Sequence, residues 1–96
     1  MVAYCLAQIT VHNPEEYAKY AALAGPAVAK YGGEFLARGG KCITKEGSVQ
    51  LRNVVIAFSD FDVAVSFYES TEYQNALSFA LADGVSTRNY TIVDGV

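Results

Sequence analysis

Two diglycines bracket a five-residue alternation in Tyr31 to Gly40, Tyr-Gly-Gly-Glu-Phe-Leu-Ala-Arg-Gly-Gly, and this stretch restricts the fold more than any other. Gly32 and Gly33 can adopt the positive φ that closes a helix without Cβ strain. Glu34 to Arg38 then alternate as a half-buried strand, and Gly39-Gly40 stops it. A helix must therefore turn directly into a strand here. Period-two alternation puts Arg38 on one face with Leu36 and leaves Phe35 and Ala37 on the other. A guanidinium in such a strand needs an anionic or carbonyl partner, which makes Arg38 a candidate binding residue.

The flanking chain supplies the elements this hinge joins. Ala3 to Val11 reads as a strand with an apolar face (Cys5, Ala7, Ile9, Val11) and a mixed one (Tyr4, Leu6, Gln8, Thr10). Asn13-Pro14-Glu15-Glu16 is a helix start: Asn13 caps, Pro14 takes the first helical position, and Glu16 completes a capping box. That helix runs toward Tyr31 with Tyr17, Tyr20, Ala21, Ala24, Val28 and Tyr31 on one stripe, and Gly25-Pro26 predicts a kink or break near Ala22 to Pro26. Lys41 to Gln50 reads as a turn-rich connection. Leu51 to Phe58 is the most strand-like run, with Val54, Ile56 and Phe58 facing one way. Asp60 caps a short helix through Tyr68, and Ser70 caps a second helical run through Ala82 whose buried stripe is Tyr73, Ala76, Leu77, Ala80 and Leu81. Ser86 to Val93 alternates again, with Arg88, Tyr90 and Ile92 opposite Thr87, Asn89, Thr91 and Val93.

The order strand, helix, strand, strand, helix, strand predicts an α+β, ferredoxin-like βαββαβ fold: an antiparallel sheet with helices on one face, in a single domain over residues 1–96. The other face carries Tyr4, Leu6 and Leu36. Covering it calls for a partner, and an identical chain on a two-fold axis predicts a homodimer packed sheet against sheet.

Charge and motif content exclude several classes of function. A net charge of -3 with no basic run or stripe argues against nucleic acid. The N-terminus has neither a charged leader nor an apolar run of spanning length, so a cytoplasmic protein with no membrane segment is expected. Cys5 and Cys42 lack metal-ligand spacing, and no HExxH, GxGxxG or GxxxxGK[ST] pattern occurs, so no metal or cofactor is predicted, haem included.

Taken together, Tyr17 and Tyr20, Tyr31-Gly32-Gly33, Arg38-Gly39-Gly40, Glu46-Gly47, the strand ending at Phe58, and Phe67-Tyr68-Glu69-Ser70-Thr71-Glu72-Tyr73 resemble the domain of unknown function 1330 family over nearly the whole chain. The resemblance implies the dimeric α/β-barrel superfamily, in which two ferredoxin-like chains close their sheets into a barrel. It also marks departures: Ser59 stands where relatives usually have proline, Phe67 where tryptophan is frequent, and Ala80 where an arginine is common. An anion site carried over from relatives would therefore rest on Arg38 alone. The superfamily spans cofactor-free monooxygenases, isomerases, haem enzymes and non-catalytic stress proteins, so fold analogy does not choose an activity.

The candidate chemistry has plain alternatives. Arg38 with Glu46 is either an ion pair tying the loop to the sheet or a two-point grip on a carboxylate or enolate. His12, where the first strand meets the first helix, is a candidate general base or a solvated turn residue. Tyr20, Tyr68 and Tyr73 are either an aromatic core or, with Arg38 and Glu46, the lining of a pocket between sheet and helices for a small organic molecule. The alternative function is a cofactor-independent monooxygenase or isomerase for an enolisable or aromatic substrate, with His12 as base and Arg38 stabilising the oxyanion. A pure interaction module is a third reading.

Overall fold

Antiparallel pairing on both sides of the first strand organises the molecule. The computed structural model describes every residue from Met1 to Val96. In chain order the elements are β1 (Ala3–Val11), α1 (Pro14–Lys30), β2 (Glu34–Arg38), β3 (Arg52–Phe58), α2 (Phe61–Glu69), α3 (Thr71–Leu81) and β4 (Ser86–Asp94). The strands form one antiparallel sheet in the order β2–β3–β1–β4. This is the predicted ferredoxin-like arrangement, with the second helical segment divided in two. The result is a two-layer plate measuring 34 × 33 × 17 Å.

The core lies between the helices and one sheet face, where Ala3, Cys5, Ala7 and Ile9 of β1 and Val54, Ile56 and Phe58 of β3 are buried. Tyr73, Phe58 and Phe67 are its largest enclosed side chains, stacked with Phe67 4.9 Å from Phe58 and 4.6 Å from Tyr73 between ring centroids. Rings packed at these separations add about 0.5–1.5 kcal/mol per pair beyond the area they bury. Gly33 is needed where α1 meets β2: a Cβ there would lie 2.7 Å from both the Phe58 ring and Val28, and the preceding Gly32 takes φ 72°.

Three expectations need correction. The first is the break at Pro26, because α1 continues through it. Pro26 and Ala22 both lie on the solvent side of α1, so the Ala22 carbonyl that loses its intrahelical donor turns to water. The second is the burial of Leu81, which is 62% exposed at the end of α3. The third is the face of Arg38. Phe35 pairs with Ile56, Ala37 with Val55 and Arg38 with Val54, so one extra residue bulges between Phe35 and Ala37. A bulge sets two residues against one and inverts the alternation beyond it. Arg38 therefore shares the helix-covered face with Phe35, and the exposed Leu36 sits at the bulge.

Ser70 holds the two short helices together. Its backbone N–H and its Oγ both donate to the Phe67 carbonyl closing α2, while Oγ accepts from the Tyr73 N–H that opens α3. Ser70→Ala is expected to lower unfolding stability by about 1–2 kcal/mol, because a cap and a buried hydrogen bond are lost at once; urea denaturation measures it. Cys5 is buried and Cys42 exposed. Titration with a thiol reagent is expected to modify Cys42 rapidly and Cys5 only on unfolding.

Candidate functional site

Small side chains at the centre of the sheet face small side chains on α1, and a cleft forms between them. Its floor is Cys5, Ala7 and Ile9 of β1 with Val54 and Ile56 of β3, and α1 closes it from above with Ala21, Ala24 and Val28. The free space is about 30 Å³, roughly one water-sized group.

Strand register places the polar groups around this floor. Ile9 pairs with Arg52 on one side and Arg88 on the other. Two arginines thus flank one isoleucine in a single row, their Cα atoms roughly 10 Å apart at two inter-strand spacings. The next row runs Tyr90, Ala7, Val54, Arg38. Arg38 lies over the Phe35 ring at 4.1 Å, and its Nη2 would stand 3.6 Å from a Cβ at Gly25 on α1, so its side chain reaches across from β2 to α1. Arg52 lies against Gly39, where a Cβ would come within 2.5 Å of its Nη1.

Arg88 sits behind a wall of phenols. Its Nη1 donates to Tyr17 Oη at 3.4 Å, and its Nη2 to Tyr20 Oη at 3.2 Å and Tyr73 Oη at 3.1 Å. Tyr20 and Tyr73 share a further bond at 3.0 Å. These contacts tie α1, α3 and β4 together. The chain has two ion pairs, Lys19 with Glu16 at 2.9 Å and Lys30 with Glu72, and neither involves an arginine. No acidic residue lines the cleft. Two buried polar atoms of its lining, Arg52 Nε and Tyr90 Oη, have no hydrogen-bond partner in the chain. The neighbour of Tyr90 is the Cys5 thiol, a weak acceptor.

Burial sets the protonation of these groups. It pushes the phenols of Tyr73 and Tyr90 far above their usual range. It also raises Tyr17, against the opposing pull of Arg88, and the Cys5 thiol, against its contact with Tyr90. These groups stay neutral near pH 7.

Of the residues singled out in the sequence, Arg38, Tyr20 and Tyr73 line the cleft together. Tyr68 does not; it stacks behind Tyr73 and Tyr90 at 5.3 and 5.0 Å. Glu46 lies exposed in the β2–β3 loop and forms no ion pair with Arg38, which corrects the expected pairing. His12 is also away from the cleft. It is exposed, with Nε2 2.9 Å from Thr87 Oγ1. Arg88 and Arg52 belong to no motif that marks a site, although both fall in phase with the apolar face of their strands, a readable signal for a cation directed inward. Arg38 is therefore not the sole arginine of the site.

Because Tyr17, Tyr20 and Tyr73 all lose a buried donor and only Tyr20 and Tyr73 keep a bond to each other, Arg88→Met is expected to lower stability by about 1–3 kcal/mol. An unchanged calorimetric melt would show that these bonds contribute nothing net to stability.

Comparison with known proteins places the chain. Residues 2–96 match the family model described as Domain of unknown function (DUF1330), and the chain belongs to that family. No curated protein matches it. Among solved structures it is similar to the RPA0582 protein of unknown function from Rhodopseudomonas palustris, at 15% identity and TM-score 0.79, covering 99% of this chain and 82% of that one. It is similar to a dimeric ferredoxin-like protein of unknown function from Jannaschia sp. CCS1, at 14% identity and TM-score 0.72, covering 99% and 100%. It is also similar to SnoaB, a cofactor-independent oxygenase from Streptomyces nogalater, at 18% identity and TM-score 0.66, covering 99% and 93%. At these identities the likeness is one of fold.

Proposed function

We propose that this DUF1330 chain is a homodimer that binds a small organic molecule in the cleft between its helices and its sheet. The observation that carries the reading is the pairing of an apolar hollow with two buried polar atoms, Arg52 Nε and Tyr90 Oη, that the chain leaves unpartnered. Buried polar groups without partners are rare in folded proteins, and an apolar cleft with a few convergent polar groups is the usual form of a small-molecule site. Such sites commonly enclose about 300–1,000 Å³, so the cleft must widen to admit a ligand. Arg38 is the part best able to move, since its long side chain is exposed and spans the gap from Phe35 to Gly25.

The interface reading rests on the other sheet face. Leu6 lies at its centre, paired with Val55 and Thr91, and Leu6 and Val93 are 39% and 41% exposed. A plate 34 by 33 Å across offers more than the roughly 800 Å² that a standard interface buries on each partner. The dimeric ferredoxin-like neighbour from Jannaschia supports the same assembly.

An enzymatic reading, oxygenase or isomerase, draws support from the fold likeness to SnoaB. It lacks a base in the cleft, because His12 bonds to Thr87 outside it and burial keeps Tyr17, Tyr73, Tyr90 and Cys5 protonated. Binding is therefore the better reading.

Native mass spectrometry of freshly purified protein is expected to show a dimer carrying a small-molecule mass. Ala24→Leu, which fills the cleft, should remove that mass and keep the dimer. Leu6→Lys should give a monomer, since the two-fold axis would bring two ammonium groups into the interface. A wild-type monomer would refute the interface, and a bare wild-type dimer would count against a tightly held ligand.

A further inference from the structure

We propose that the ligand of this cleft is a small organic carboxylate with an apolar tail, its carboxylate held by Arg52 and by tyrosine hydroxyls that Arg88 orients from behind. The inference rests on the small-molecule reading above and deepens it.

Hydrogen-bond accounting leads to the anion. A guanidinium only donates, so the oxygens of Tyr17, Tyr20 and Tyr73 all accept from Arg88. Their hydrogens must go elsewhere. The Tyr20–Tyr73 bond absorbs one, which leaves the Tyr17 hydroxyl and one of the other two still seeking an acceptor. The Tyr90 hydroxyl has only the Cys5 thiol, a weak acceptor, beside it, and Arg52 Nε–H has no partner. Tyr17, Tyr20, Tyr73, Tyr90 and Arg52 all line the cleft, and the free donors among them meet no acceptor stronger than the Cys5 thiol. An occupant that satisfies them must be rich in acceptors.

Charge narrows the class further. The three arginines of the chain, Arg38, Arg52 and Arg88, gather at this one cleft although the chain carries ten acidic side chains and a net charge of -3. No carboxylate approaches any of them. Like charges sharing one hollow repel, and a bound anion offsets that repulsion. A planar carboxylate matches a guanidinium edge and adjacent hydroxyl donors. The Val28, Phe35, Val54 and Ile56 side chains leave the rest of the cleft apolar, which suits a hydrocarbon or aromatic tail and disfavours a second charged group. Arg88 does not line the cleft; it is a positioning residue that acts through the phenol oxygens it holds.

Hexanoate and hexanamide share size and shape and differ in charge, so they test the class directly. Titrated into the intact protein and followed by the methyl NMR signals of Val28, Val54 and Ile56, hexanoate is expected to bind at least tenfold more tightly than hexanamide. Arg52→Met should bring the two within about threefold. Arg88→Met should shrink the ratio by weakening hexanoate more than hexanamide, a selective change that mere loss of folding would not produce. Equal affinity of acid and amide in the wild-type protein would overturn the carboxylate and leave the small-molecule cleft standing. Binding of neither, with the cleft methyl signals unmoved, would overturn the cleft reading and the carboxylate with it. An undiminished acid preference in folded Arg52→Met would overturn the assignment of Arg52.

Discussion

The register of β1 against its two neighbours is the constraint on which the rest of the structure depends. Seven residues of β1 pair with β3 and nine with β4. Each pairing assigns every side chain on three strands to the helix layer or to the open face. A slip of one residue would exchange the two sets and bury Gln8, Asn53 and Asn89 in place of Ile9, Val54 and Tyr90. That cost makes the register nearly unique. Because it is unique, Arg52 and Arg88 fall on either side of Ile9, and Tyr90 and Arg38 end the next row.

The cleft follows from size as much as from charge. Interiors of proteins are close-packed, and a hollow survives only where the facing side chains are too short to meet. Cys5 and Ala7 on the sheet and Ala21 and Ala24 on α1 leave such a gap, walled at one end by tyrosines and at the other by Phe35 and Arg38. The same tyrosines belong to the aromatic cluster that joins α1, α3 and β4, so the wall is built from the core itself. A site whose donors stand on packed helices and strands is held more rigidly than one built on loops. The movable side chain in this arrangement is Arg38, at the edge strand.

The two faces of the sheet carry separate tasks. The helix-covered face holds the core and the cleft. The open face, with Leu6, Val55 and Val93 among Gln8, Asn53, Asn89 and Thr91, is semi-polar, and Gln8 bonds to Asn53 across it at 3.3 Å. His12 and Thr87 stand at its margin rather than with the arginines. This separation distances the one histidine from the charged cleft.

Local chemistry was readable because it is local. The Asn13-Pro14 start, the Asp60 and Ser70 caps, the Gly32-Gly33 hinge and the alternation of β1, β3 and β4 each depend on neighbours within a few residues, and together they determined the element order and with it the fold and the family. Two of the arginines were legible in principle, since Arg52 and Arg88 keep phase with apolar residues of their strands. Tertiary structure decided the rest. A bulge between Phe35 and Ala37 arises only when β2 pairs with β3, and it turned Arg38 inward against the plain alternation. Pro26 was tolerated because its face of α1 meets water. The gathering of Arg88 with Tyr17, Tyr20 and Tyr73 joins residues up to 71 positions apart, and no spacing along the chain encodes it. Periodicity tells which face a residue takes, whereas register across strands tells what it meets there.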